Sequence, residues 1–288
     1  MARRSHNSKP LFSIVIPTLN EEKYLPNLLS CLEKQTYDNF EVIHVDGNSA
    51  DKTVENAESF SNKLIISSIL VNKRNVAFQR NTGSAQAKGT WVLFTDADVT
   101  FPSDFLDGLR SQIAKHPNCD IFTGLADVNS FDSKDQPVIH VVNLVIEILS
   151  YIKPIAQGTL LGVRTEIAQA IPFNEQLPVA EDYALVESII AAGHTFCCFK
   201  EPRYEYSMRR VHKEGMLKTL WTTVEHHFKF FFNKNALSTL DNYPMLGGSY
   251  YEKLEKQRDK RELTQLIIAF KEAVKKLPSD VRSKLLEK

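Results

Sequence analysis

Short apolar runs alternate with segments whose apolar positions recur every three or four residues, starting close to residue 11. Residues 11–16, 40–45, 64–70, 91–95 and 120–126 are runs of strand length, rich in β-branched and aromatic side chains. Between them, residues 21–35, a segment opening near Asp51, residues 75–87 and residues 103–115 carry the helical period. This alternation predicts an α/β fold, a mostly parallel sheet flanked by helices.

The second half is less regular. It holds an apolar segment at 138–152, a small-residue stretch Gln157-Gly158-Thr159-Leu160-Leu161-Gly162, a helix at about 182–192 and a further strand-like segment before Met208. Beyond Met208, Leu217, Leu220, Trp221, Val224, Phe228 and Phe231 recur at helical spacing, which favours a helix packed on the core over one lying on a membrane. A charged final segment from Tyr251 places Leu263, Ile267, Phe270 and Val274 on one helical face, a surface suited to an oligomer contact. The expected organisation is a basic arm at 1–10, a domain at 11–212 divided into 11–127 and 128–212, and a helical C-terminal extension at 213–288. No internal repeat is present.

With 288 residues there is room for a full core and an enzyme site. Lys+Arg equals Asp+Glu at 35 each, so no basic footprint points to nucleic acid. Cys31, Cys119, Cys197 and Cys198 have neither zinc-ligand nor disulfide-framework spacing, which suggests a reducing, cytoplasmic setting. The basic start lacks an apolar signal core. The 138–152 segment is interrupted by His140, Asn143 and Glu147 and is too short to span a bilayer, leaving room only for peripheral contact at the inner face of a membrane.

In an open α/β sheet, ligands sit beyond the carboxyl ends of the strands. Those ends are polar here: Pro17-Thr18-Leu19-Asn20-Glu21, Asp46-Gly47-Asn48-Ser49 and Asp96-Ala97-Asp98. Asp96 and Asp98, one residue apart, can present two carboxylates to a divalent ion bridged to phosphate, or can be a solvated acidic turn before the next helix. Their place after a buried-strand run favours the first. Asp46 can accept a hydrogen bond from a nucleobase or simply shape its turn. Arg80 can face a diphosphate or be a surface arginine. Glu181 and Asp182 fall where a helix opens, as caps or as a general base. Arg209, Arg210 and His212 can reach a diphosphate or metal, or form a basic turn. The remaining histidines read as structural. The hydrolase elbow, the Walker loop and a G-x-G-x-x-G after the first strand are absent.

Taken in order, these motifs resemble glycosyltransferase family 2, the inverting enzymes of GT-A (Rossmann-like) fold, across roughly residues 12–212. Residues 12–21 look like the opening strand and donor-binding turn, residues 45–53 like the base-binding turn, Arg80-Asn81-Thr82-Gly83 like the segment before the metal strand, and Asp96-Ala97-Asp98 like its D-x-D. The resemblance implies a nucleotide-diphosphate sugar donor contacting Pro17, Thr18, Asn20, Glu21, Asp46, Asn48, Arg80, Asp96 and Ala97. It implies Mg²⁺ or Mn²⁺ on Asp96 and Asp98, a small-residue loop from Gly158 to Arg164, with Gly158 and Thr159, on the acceptor side, and Asp182 as base with Glu181 beside it. The acceptor it implies is a saccharide or a lipid-linked molecule. The Q-x-x-R-W motif is absent, which argues against a processive synthase. A silent sugar-nucleotide-binding protein of the same fold, and more distantly a nucleotidyltransferase, stand as alternatives.

Overall fold

The structure is a computed structural model that describes residues 9–128, 143, 154, 156, 158–177, 179–207 and 209. The arm at 1–8, all of the 138–152 segment except Asn143, Gln157, Arg210, His212 and the extension at 213–288 lie outside the described residues.

Seven strands form one sheet: β1 (Phe12–Thr18), β2 (Phe40–Asp46), β3 (Ile66–Leu70), β4 (Trp91–Thr95), β5 (Ile121–Val128), β6 (Leu160–Arg164) and β7 (Phe196–Tyr206), in the order β3-β2-β1-β4-β6-β5-β7. The first four strands pair in parallel, β6 runs antiparallel to both β4 and β5, and β7 is parallel to β5. The sheet is therefore mixed and mostly parallel. The expected division at 127/128 falls at the end of β5, and β6 and β7 return to pair with β4 and β5, so both halves share one sheet.

Period-two alternation distributes β1 between two apolar layers. Phe12, Ile14 and Ile16 enter the layer beneath α1 (Leu25–Glu33) and α4 (Phe105–Lys115). Val15, with Ile43 and Val45 of β2, enters the layer beneath α3 (Val76–Gln86), α5 (Thr165–Ala170) and α6 (Glu181–Ala191). A short α2 (Thr53–Glu58) follows β2. Strands β1, β2 and β4 are buried throughout, whereas edge strand β3 has only partly buried and exposed positions.

Two expectations shift. The first helix opens at Leu25, not Glu21, because residues 19–24 form a turn and Pro26 sits in the helix's first turn, where a missing N–H costs nothing. The stretch from Gly158 to Arg164 is not a loop: only Gly158 and Thr159 form a turn, and Leu160–Arg164 is a buried central strand. Leu160 packs in one apolar layer while Leu161 and Val163 pack in the other, and Gly162 lets the Phe122 ring lie flat against the strand.

Candidate active site

At the carboxyl ends of β1 and β2 a buried polar ladder crosses three strands. Thr18 Oγ1 donates to Asp46 Oδ2 at 2.8 Å and lies 2.8 Å from His44 Nε2, while His44 Nδ1 lies 3.1 Å from Ser68 Oγ. Because the single hydroxyl proton of Thr18 goes to Asp46, His44 must carry its proton on Nε2 and accept from Ser68 on Nδ1. Burial pushes His44 down to about 4, with the Asp46 charge opposing, so the imidazole is neutral as this ladder requires. Asp46 also accepts from Ser49 N and Ser49 Oγ, each at 2.7 Å. Its residue is 0% exposed. In this structure the carboxylate shapes the turn, and the exposed residue that the turn carries outward is Asn48, at φ 66°. Asn20, at φ 54°, joins the two turns by donating N–H to Ser49 Oγ and accepting from Ala50 N, both at 2.8 Å. Asparagine tolerates this left-handed conformation. Pro17, Thr18 and Ala97 are buried beneath this edge.

The D-x-D turn after β4 faces two arginines. Arg80 of α3 is buried, with only 2% exposure, not a surface residue. Its Nη2 donates to Asp96 Oδ1 at 3.0 Å and to Gly158 O at 3.1 Å, and its Nη1 donates to Glu181 Oε1 at 2.8 Å. Burial works against its charge, but Asp96, Glu181 and Asp182 outweigh burial and raise the guanidinium's pKa. A Cβ at Gly158 would lie 2.6 Å from Arg80 Nη2, so glycine is what admits the contact. Arg209 forms a bidentate pair with Glu21 at 2.7 and 2.8 Å, reaches Asp98 Oδ2 at 2.8 Å and covers the Tyr24 ring. Glu21, expected on the donor, thus ties the end of β1 to the segment after β7.

Glu181 and Asp182 open α6 behind Ala180, whose φ of 63° is unusual for a residue with a Cβ. Neither caps the helix in the ordinary way. Glu181 reaches Arg80, and Asp182 accepts from Gly158 N at 2.6 Å and from Tyr183 N at 2.8 Å. Burial, reinforced by the charge of Glu181, pushes the Asp182 carboxyl up to about 7 against the pull of Arg80 and of the two N–H donors. Thr159 is buried, its hydroxyl 2.7 Å from that of Tyr204 and its carbonyl accepting from Thr95 Oγ1 at 3.0 Å. Asp46, Asp96, Asp98, Arg80, Glu181 and Asp182 therefore gather at one sheet edge. Phe173 and Tyr204, which also join the site, left no mark in the sequence, since their contacts cross 45 or more positions.

Among the described residues no three His, Cys, Asp or Glu side chains form a metal cage. Asp96 and Asp98 remain a pair of hard oxygen ligands of the kind that Mg²⁺ or Mn²⁺ uses together with phosphate oxygens. Burial raises Asp98 to about 6; Arg209 opposes this, and the charges of Asp96 and Glu21 add to it. Four carboxylates, Glu21, Asp96, Asp98 and Glu181, face the two guanidiniums of Arg80 and Arg209, an excess of negative charge with which a divalent cation is compatible.

Solved glycosyltransferase structures share this sheet. TarS residues 1–349 of Staphylococcus aureus, in complex with UDP-GlcNAc, superposes with a TM-score of 0.56 at 26% identity, over 68% of this chain and 58% of that one. The mannosyltransferase PcManGT of Pyrobaculum calidifontis, in complex with GDP-Man and Mn²⁺, superposes with a TM-score of 0.59 at 22% identity, over 70% and 58%, and so shares the GT-A fold. By sequence, residues 13–167, more than half of the chain, match the model of Glycosyl transferase family 2, to which this chain belongs. Poly(ribitol-phosphate) beta-N-acetylglucosaminyltransferase TarS of S. aureus strain MW2 is 30% identical over 210 residues, 69% of this chain. A PGL/p-HBAD biosynthesis glycosyltransferase of Mycobacterium tuberculosis is 36% identical over 118 residues, 40% of this chain. The matches cover 36% of TarS and 46% of the mycobacterial relative, so the chain spans less than half of either.

Proposed function

We propose that this chain is an inverting glycosyltransferase that moves a sugar from a nucleoside-diphosphate donor to an acceptor hydroxyl, with Mg²⁺ or Mn²⁺ held by Asp96 and Asp98. The observation that carries the reading is the Arg80 guanidinium, hydrogen-bonded to Asp96, Gly158 O and Glu181 while Gly158 N holds Asp182. One side chain thereby spans the leaving-group side and the base side of a single cleft.

In the reaction, the acceptor oxygen forms a bond to the anomeric carbon as the bond from that carbon to the β-phosphate oxygen breaks. The diphosphate departs with the electron pair, and the hydroxyl proton passes to Asp182. The carboxylate is suited to this because its raised pKa makes it a competent base near neutrality. Arg80 and Arg209 supply positive charge on the diphosphate side, and Glu181 holds Arg80 in place. When bound, the metal neutralises charge on the departing diphosphate. In-line attack from the face opposite the diphosphate inverts the anomeric centre and yields a β-linked product from an α-linked donor. The UDP-GlcNAc bound to TarS makes a UDP-sugar the first donor class to test, and the name of that relative makes a poly(ribitol-phosphate) the first acceptor.

A panel of UDP- and GDP-sugars with Mn²⁺ or Mg²⁺, read by nucleotide release, tests the proposal. Release is expected with one nucleobase class, and Asp182→Asn is expected to lower it by about 10²–10⁴-fold. Asp98→Ala should remove metal stimulation. Wild-type rates in both variants end the proposal.

A further inference from the structure

Arg80 is followed in the chain by Asn81, and the two face different directions from α3, as neighbours about 100° apart on a helix must. Arg80 addresses the D-x-D turn. Asn81 addresses the connection between α5 and α6. Its Nδ2 donates to Phe173 O at 3.0 Å, and its Oδ1 accepts from Phe173 N at 2.8 Å, a two-point grip equivalent to a rung of sheet. Nδ2 also reaches Glu175 Oε1 at 3.1 Å, and Asn75, the N-cap of α3, donates to Glu175 O at 3.1 Å. The gripped residue is itself part of the site's floor. Phe173 is buried, edge-on to Phe94 at 4.9 Å, and its ring lies 5.4 Å below the Arg80 guanidinium.

We propose that Asn81 is a positioning residue of the transfer centre, gripping the α5–α6 connection so that Glu181 and Asp182 stand at a fixed distance from the donor half of the cleft. The inference rests on the sugar-transfer reading above. A carboxamide is the side chain that offers a donor and an acceptor side by side, which is what a backbone N–H and C=O on one residue require. Because α3 is one rigid element, the same helix registers Arg80 against Asp96 and the base segment against Arg80. Arg80 keeps its contacts with Asp96 and Gly158 when the grip is lost, so the donor side is spared and the base side drifts.

The test compares the full chain with Asn81→Ala, Asn81→Asp, and Asn81→Asp combined with Glu175→Gln. In Asn81→Ala, amide exchange at Phe173 and through Asp182 is expected to speed up by about tenfold or more, with β1 and β2 unchanged, while kcat falls by about tenfold or more and the donor KM stays within about threefold. The double variant keeps the acceptor for Phe173 N and replaces the like-charge contact at 175 with an amide that donates to that acceptor, while Phe173 O stays without its Asn81 donor. It is expected to recover part of the kcat lost in Asn81→Asp. Unchanged exchange at 173–182, an equal loss of protection everywhere, or a double variant no better than Asn81→Asp overturns the inference. A wild-type chain that turns over no nucleotide sugar removes the transfer reading and this role together; an active wild type matched by Asn81→Ala removes this role alone.

Discussion

Asp182 combines two demands that pull in opposite directions. Its carboxylate accepts N–H donors from Gly158 and Tyr183, which favour the charged form, yet burial and the neighbouring Glu181 charge prevail and raise it to about 7. A base must be ionised to take a proton, so turnover is expected to fall as pH drops through about 7, by about tenfold per unit on the acid side. The kcat/KM profile measures this directly. An acid limb near the ordinary aspartate range would mean that Asp182 is not the group that takes the proton. The limb should disappear in Asp182→Asn, whose residual rate has no such ionisation. The place of Asp182 at the opening of a helix was legible because a carboxylate pair preceded a helical period at a fixed place in an ordered set of motifs. His44 was legible only as a structural histidine. Its link to Thr18 and Asp46 depends on strand register, and register joins residues 26 or more positions apart that no local period connects.

At the level of elements, the parallel strands β1 to β4 and the helices between them followed from periodicity, because each is a long, regular segment with its own turn residues. Strand β6 did not. Gly158 and Gly162 gave its sequence the look of a loop, and its burial comes from partners far along the chain. Its order in the sheet, between β4 and β5, places Gly158 next to Arg80 and so builds the site. A Cβ at Gly162 would lie 2.1 Å from Phe122 Cζ, and that ring is already packed against Trp91 at 5.3 Å and Phe199 at 4.9 Å. The ring has no room to yield, so Gly162→Ala is expected to destabilise the fold by about 1–3 kcal/mol or more. Gly193→Ala is the comparison: nothing lies within 4 Å of that position, and only its φ of 93° resists a side chain, at a cost of about 1 kcal/mol. Chemical denaturation of the two variants should rank Gly162→Ala as the more damaging. The reverse order would contradict the packing of β6 on β5.

For the molecule as a whole, the balance of charge bears on how the site meets its ligands. Net charge is zero, so no excess of one sign over the whole chain gathers anions, and among the described residues Arg80 and Arg209 are the guanidiniums that face the D-x-D turn. No helix among the described residues is long and apolar enough to cross a membrane. The described fold is held by two apolar layers on either side of one sheet, and no three ligating side chains come together among the described residues. Removing divalent ions should therefore leave the unliganded melting temperature unchanged while abolishing turnover. Nucleotide and metal should stabilise jointly. UDP or GDP at about 100 times its Kd with Mn²⁺ is expected to add about 2.7 kcal/mol of stability, and the same nucleotide with EDTA distinctly less. Scanning calorimetry over these conditions separates the two contributions. A melting point that drops on chelation alone would place a structural metal in the fold, and equal stabilisation with and without Mn²⁺ would remove the cation from the donor complex.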